Sequence, residues 1–348
     1  MTLRIVQWTT GNVGRAALGS IVERDDMELV GLYAFSADKV GRDAGDLARL
    51  GRTLGVAATD DIDAIIALRP DCVSYMPLFP DVEHLSRLLE AGINIVTTAE
   101  FMTGAALGAE ARARLERAAA AGGASLFGSG VNPGWIEYLA AAASGVTRNL
   151  RSLRVIEQFD LMVLSADGNQ DDFGWGRPAG DPGHADDVAV GVAEFRDAVE
   201  VAARVLGVEL DEIRYDVEFA HATADLKVAA RTVTAGTVAG IEITWSGIVG
   251  GAAVIELVAR WTLGTKIEPA WTTDMGYTVE VNADPRVIMR VDFLPADLEQ
   301  LTAEGMAMMG TVLTASPAIN AIPAVVAAAP GIVTYADLPP MTANLAGR

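Results

Sequence analysis

Residues 3–17, L-R-I-V-Q-W-T-T-G-N-V-G-R-A-A, constrain the fold of this chain more than any other stretch. Leu3, Ile5 and Val6 make a short apolar run, Gly11 and Gly14 release the backbone for a sharp turn, and Ala16, Ala17 and Leu18 open a helical pattern. A buried strand that turns directly into a helix presents N–H groups at the helix N-terminus, where an anion such as a pyrophosphate is held. In a G-x-G-x-x-G register, Thr9 stands in the place of the first glycine, Gly11 and Gly14 fill the other two, and Ala17 supplies a small packing residue. Thr9, Thr10, Gly11, Asn12, Val13 and Gly14 are therefore candidates for dinucleotide contact. Two glycines three apart also start or end ordinary helices, so the rest of the chain has to decide.

The next hundred residues alternate strand and helix. Short apolar runs at 28–35, 56–59, 72–76, 93–97 and 124–128 read as buried strands. Between them, Asp60-Asp61 opens a helix carrying Ile62, Ile65, Ile66 and Leu68 up to Pro70. Asp81 opens another with Val82, Leu85, Leu88 and Leu89, ended by Gly92, and 109–121 is an Ala/Arg/Glu helix. This order predicts an α/β chain whose N-terminal part is a Rossmann-type doubly wound parallel sheet, with ligands at the C-terminal ends of its strands. From about Leu150 the pattern changes to long alternating runs at 153–159, 237–245 and 254–261, as expected of a mainly antiparallel sheet in an α+β second domain. A helix over about 186–206, with Val188, Val192, Phe195, Val199 and Ala202 as its stripe, interrupts them. The Gly/Asp/Pro-rich stretch 166–187 reads as a mobile loop, either a binding lid or an ordinary exposed loop. Apolar helical residues around 304–313 and 318–325 would be stranded on such a sheet, so the tail is expected to fold back. The expected domains are 1–133 plus about 305–348 for the dinucleotide, and 134–304 for substrate and dimerisation.

Charge and rare residues exclude several functions. With 26 Lys plus Arg against 46 Asp plus Glu the formal charge is −20, which repels nucleic acid. No basic leader precedes a long apolar core, and no run of about eighteen unbroken apolar residues occurs, so the expectation is a cytoplasmic chain without a membrane partner. The single cysteine, Cys72, lies in an apolar run and reads as a small packing residue. His84, His184 and His221 are scattered, with neither H-E-x-x-H nor C-x-x-C. Asp167, Asn169 and Asp171 resemble the start of a calcium loop, but Phe173 and Pro178 break its later positions, and no metal is expected.

The strand ends carry the remaining candidates. After the second strand, Ser36 and Lys39 suit a 2′-phosphate, with Arg42 as a helper and Asp38 as the counter-candidate for a ribose diol. The reading is NADP in preference to NAD, against the alternative of a solvated polar loop. Pro77 follows the fourth strand. After the fifth come Thr97, Thr98 and Glu100, the one acid of its turn. A carboxylate beside a hydride donor, with Phe101 and Trp135 limiting water, can serve as acid or base or balance a cationic imine. The competing reading is that Thr97-x-x-Glu100 is a capping box at a helix start. After the sixth strand, Asn132 before Pro133 either grips a nicotinamide carboxamide or initiates a turn.

T-T-G-N-V-G-R, S-A-D-K-V-G-R-D-A-G, T-T-A-E-F, V-N-P-G-W and the late N-A-I-P-A-V together resemble the 2,4-diaminopentanoate dehydrogenase-like family, which includes native NAD(P)H-dependent amine dehydrogenases. Its first domain is related to that of dihydrodipicolinate reductase, whose second-domain His-His pair and Lys-x-Asp-x-Pro-Ser-Gly stretch this chain lacks. The resemblance implies reductive amination of a ketone or aldehyde with ammonia and the reverse oxidative deamination. It places the catalytic glutamate at Glu100, the nicotinamide-binding pair at Asn132 and Pro133, and a cofactor contact at Asn320. Trp135, Tyr138, Gln158, Asp160 and Trp261 are the candidates for the surroundings of the amine, each equally readable as core or strand surface, and a homodimer is expected. The alternatives are an NADPH-dependent carbonyl or cyclic imine reductase that needs no ammonia, and a dinucleotide-binding sensor without turnover.

Overall fold

β1 (Leu3–Trp8) runs straight into α1 (Asn12–Val22), as the apolar run and glycine turn require, and β2 (Met27–Tyr33) returns beside it in parallel. A computed structural model describes residues 2–164, 173–228, 231–297, 299 and 301–344. The alternation continues through α2 (Ala44–Leu47), β3 (Ala58–Thr59), α3 (Ile62–Ala67), β4 (Cys72–Tyr75), α4 (Val82–Glu90), β5 (Asn94–Thr97), α5 (Ala109–Gly122), β6 (Ser125–Gly128) and α6 (Trp135–Ala143). Helix starts fall where short acids can accept N–H bonds: Asp61 from Asp63, and Asp81 from Glu83 and His84. With β16 (Gly331–Val333) on β6, the sheet order is β16-β6-β5-β4-β1-β2-β3, all parallel. The order reverses between β1 and β4, which makes the ends of those strands a ligand crevice. One face buries Val6, Val73, Leu85, Leu88, Ile95 and Leu115; the other buries Leu18, Leu32, Leu47 and Ala58.

The chain divides into two units, Met1–Trp135 with Gly310–Arg348, and Ile136–Met309. The second contains β7 (Arg148–Asp160), α7 (Leu161–Leu164), α8 (His184–Gly191), α9 (Ala193–Leu206), β8 (Glu212–Ala222), β9 (Leu226–Val228), β10 (Arg231–Val233), β11 (Val238–Val249), β12 (Ala252–Thr262), β13 (Ile267–Glu268), β14 (Gly276–Asp284) and β15 (Val287–Val291). Its large sheet has the order β13-β8-β11-β12-β7-β14-β15 and is antiparallel except for the central pair β12/β7. Along β7 the buried residues are Leu153, Val155 and Glu157, so one face carries the core and the other is polar. Gly247 lets that core approach α9, since a Cβ there would stand 2.9 Å from Val199.

Three expectations change. The helix predicted over 186–206 is two, because Val192 leaves helical geometry (φ −132°, ψ 29°) between α8 and α9, and α8 takes in residues assigned to the loop. Residues 166–172 of that loop, including Asp167, Asn169 and Asp171, lie outside the described residues. The two helical stretches near the end form one, α10 (Ala303–Val326), with Pro317 and Pro323 inside it. By length and composition residues 304–326 could cross a membrane, and 33% of their most apolar window is buried, Ala315, Ala318, Ile319, Ile322 and Val325 among the buried residues of the helix.

Candidate active site

Five strand ends of the parallel sheet bring most of the candidates to one edge. At the first, Thr9 has φ +72°, the left-handed region that a first glycine would adopt without strain. Holding a threonine there costs about 1–3 kcal/mol, and the surroundings over-determine it. Its N–H donates to the Tyr33 carbonyl (2.8 Å), its Oγ1 to the Met76 carbonyl (3.0 Å), and its own carbonyl accepts from Gln7 Nε2 (3.0 Å). Gly11 occupies the N-cap of α1 in extended geometry, with no side chain capping the helix and no acid in its first turn. A Cβ on Gly14 would lie 2.5 Å from the Thr9 carbonyl oxygen, so only glycine lets α1 sit this close to the turn. Thr10 is buried, and its Oγ1 has no hydrogen-bond partner among the described residues. An uncapped helix start beside an orphaned hydroxyl fits a diphosphate, which accepts hydrogen bonds and carries negative charge. Asn12 is exposed, Val13 half-buried. Trp8 and Tyr33 stack at 3.7 Å behind this turn.

After β2, the Ser36 carbonyl accepts from the N–H groups of Lys39 (2.9 Å) and Val40 (3.3 Å), closing a tight turn. Ser36 and Asp38 are exposed in it and Lys39 is half-buried. Asp43, which the sequence reading passed over, anchors this segment by accepting from the N–H groups of Gly45 (2.8 Å), Leu54 (2.9 Å) and Gly55 (2.8 Å). Those bonds, Leu54's foremost, hold its carboxyl below the usual aspartate range. After β4, Met76 joins neighbouring turns: its N–H donates to the Trp8 carbonyl (3.2 Å) and its sulfur accepts from Thr98 Oγ1 (3.1 Å). Pro77, next to it, is half-buried.

The turn after β5 bears on the helix-cap reading of Glu100. Thr97 Oγ1 accepts from the Ala99 N–H (3.0 Å), and the Glu100 N–H donates to the Thr98 carbonyl (3.1 Å). No helix starts there; α5 begins at Ala109 after Gly108. The capping box is therefore absent, and Glu100 sits half-buried on a bend at φ +41°. Phe101, Met102 and Thr103 are buried just beyond it. Gly128, at the end of β6, accepts this loop edge-on: a Cβ there would stand 1.8 Å from the Phe101 carbonyl oxygen. The Thr97 carbonyl also takes the Ser129 N–H (3.0 Å), so the turns after β5 and β6 are joined.

The β6 turn is closed by Gly130 N–H to the Pro133 carbonyl (3.2 Å) and Trp135 N–H to the Gly130 carbonyl (3.0 Å), around a cis Asn132-Pro133 bond. Behind it, Ser129 Oγ and the Tyr335 hydroxyl lie 2.6 Å apart in the interior, tying the segment after β16 to the turn. Asn132 and Pro133 are half-buried.

Other candidates go elsewhere. Asn320 accepts from Arg24 (3.0 Å), which precedes β2 at the sheet end opposite the glycine turn, so its expected cofactor contact is replaced by a tie between α10 and that connection. Gln158 Oε1 accepts from the Asp274 N–H (3.1 Å). Asp160 Oδ1 accepts from Met162 (3.0 Å) and Gly264 (2.9 Å), so both side chains fasten backbone. They alternate with Glu157, which is on the core face: Trp261 Nε1 donates to its Oε1 (2.7 Å), and Trp261 packs on Phe173 at 4.8 Å. Tyr277 pairs with Glu157 across β14/β7, and its hydroxyl is pushed well above the ordinary tyrosine range by burial and then by the Glu157 charge. An acid in phase with Leu153 and Val155 was the signal for this cluster. Trp135 and Tyr138 lie half-buried on α6. Among the described residues no three His, Cys, Asp or Glu side chains gather as a metal site.

Residues 172–347 match the model of the 2,4-diaminopentanoate dehydrogenase C-terminal domain. The chain is 31% identical to an amine dehydrogenase of Streptomyces virginiae, over 96% of this chain and 95% of that one. A shorter stretch is 39% identical to 4-hydroxy-tetrahydrodipicolinate reductase of Synechococcus elongatus, over 18% of this chain and 23% of the relative. In fold it is similar to the amine dehydrogenase from Mycobacterium smegmatis, with a TM-score of 0.75 at 22% identity, covering 99% of this chain and 98% of that structure.

Proposed function

Because the chain belongs to the 2,4-diaminopentanoate dehydrogenase family and is an oxidoreductase of the amine dehydrogenase kind, we propose that it interconverts a small ketone or aldehyde plus ammonia with the corresponding amine. In the reductive direction the carbonyl carbon gains a hydride and nitrogen, and its oxygen leaves as water. A bound nicotinamide dinucleotide supplies that hydride and accepts it in reverse. In this reading the turn from Thr9 to Gly14 holds the diphosphate, and Ser36 and Lys39 favour NADP over NAD through the 2′-phosphate. Pro77, Thr97, Thr98, Asn132 and Pro133 complete the cradle.

Glu100 is the proton-transfer residue of this proposal. Its carboxylate takes a proton from ammonium, returns one to the departing hydroxyl, and offsets the positive charge of the substrate iminium before hydride addition. The observation that supports it is the start of α5 at Ala109, which removes the capping role and puts the acid on a half-buried bend tied to the Asn132-Pro133 turn through Thr97 and Ser129. Trp135, with Tyr138 on the same helix, is the proposed neighbour of the organic substrate, and the broad sheet of the second unit the proposed homodimer contact. Glu100→Gln tests the assignment: turnover falls by about 10²-fold or more, the usual scale for a positioned proton-transfer group, while dinucleotide affinity is retained. Undiminished turnover would refute it.

A further inference from the structure

We propose that Gln7 is a positioning residue for the dinucleotide turn, taking over the conformational role that a glycine at position 9 would fill. The inference rests on the reading that residues 9–14 hold a nicotinamide dinucleotide. Gln7 is wholly buried on β1, a strand otherwise made of apolar side chains and Arg4. Its Nε2 donates to two successive carbonyls, Trp8 (3.1 Å) and Thr9 (3.0 Å), while its Oε1 is left without a partner. The opposite amide orientation would set an oxygen against two carbonyl oxygens, so the donors must face the turn.

The two bonds have a geometric consequence. A trans peptide directs its C=O and the following N–H to opposite sides. Fixing the Thr9 carbonyl inward, against Gln7, therefore turns the Thr10 N–H away from the amide and toward the mouth of the turn. The same carbonyl oxygen is the atom on which α1 is seated, since it would lie 2.5 Å from a Cβ on Gly14. Thr9 itself is kept at φ +72° by this bond and by its Oγ1 on the Met76 carbonyl. A glycine at position 9 would adopt that conformation unaided. With threonine, the turn depends on Gln7 for the carbonyl and on Met76 for the side chain.

A double-mutant cycle on dinucleotide binding separates this role from ordinary core packing. Gln7→Met, Thr9→Gly and the pair are titrated with NADPH and with NADH, following the quench of protein fluorescence; methionine keeps the length of the side chain and removes its donors. Gln7→Met is expected to weaken both dinucleotides about tenfold, the scale of two net hydrogen bonds. In the Thr9→Gly background the same change costs less than about threefold, because glycine occupies the left-handed region without the clamp. An equal penalty in both backgrounds, or none in either, overturns the proposal. Should Gln7→Met fail to fold, Thr9→Ala and Thr9→Gly are compared with Gln7 intact. Alanine keeps the Cβ and loses the Met76 tie, so it must bind more weakly than glycine, and equal affinity overturns the proposal as well. Wild-type protein that binds neither dinucleotide defeats the cofactor reading itself, and this inference with it.

Discussion

At position 128 a methyl group has no room: the Phe101 carbonyl oxygen would lie 1.8 Å from it, and the obstruction is backbone that cannot rotate aside. Gly128→Ala must therefore push the Glu100 turn off the end of β6. We expect a stability loss of about 1–3 kcal/mol. Turnover should fall at least about tenfold, as when a reacting group is misplaced. A variant as active as wild type would show that the turn's position is immaterial. Asp43 makes a different prediction. Its carboxyl is held below the usual range by N–H donors, Leu54's first, so folding favours the ionised form. That contribution is complete above the ordinary aspartate pKa and is lost as pH falls through the lowered folded value. Asp43→Asn should lower Tm at neutral pH, and the gap to wild type should narrow as pH falls below about 4; a gap that stays the same as the pH falls contradicts this account. Much at this scale was legible beforehand. Gly11, Gly14 and the strand-end acids are visible because their residue types are rare in apolar runs. On β7, Gln158 and Asp160 drew attention as polar groups, while the acid in period-2 phase with Leu153 and Val155 is Glu157. Gln7 and Gly128 were invisible, since each matters through a carbonyl supplied by another part of the backbone.

Among the elements, β1 to β6 and helices α3, α4 and α5 could be read to within a residue or two, the helices being bounded by Asp caps or glycines, whereas the short α2 and β16 were not read. α8 and α9 read as one helix because the apolar stripe keeps its period through Val192, and periodicity does not report a single residue that leaves helical geometry. α10 shows the converse. The stretches 304–313 and 318–325 are one helix with two prolines inside, and the turn before Pro317 is braced by Thr314 Oγ1 on the Gly310 carbonyl (2.9 Å) and Ser316 Oγ on the Val312 carbonyl (2.7 Å). Asn320 on this helix accepts from Arg24, which also pairs with Asp26 at 2.8 Å. Asn320→Ala should cost about 1.5–3 kcal/mol, the range for a hydrogen bond to a charged group. KM for the dinucleotide should not change. A raised KM without loss of Tm would return Asn320 to the cofactor site.

At the level of the whole molecule, the strand order β16-β6-β5-β4-β1-β2-β3 explains why residues as far apart as Thr9, Glu100 and Asn132 can serve one site: each follows a strand that ends on the same edge. Tyr335 adds the far end of the chain to that edge through Ser129. The second unit, with its buried Glu157, Trp261 and Tyr277, is the part least legible in sequence, because long alternating strands give their faces but not their neighbours. What separates an amine dehydrogenase from a carbonyl reductase on the same architecture is whether nitrogen must enter before hydride does. The measurement is the rate of NADPH and NADH oxidation over a panel of small ketones and aldehydes, with and without ammonium. The account predicts oxidation that depends on ammonium, with the amine as product; oxidation at the same rate without ammonium, yielding the alcohol, would contradict it.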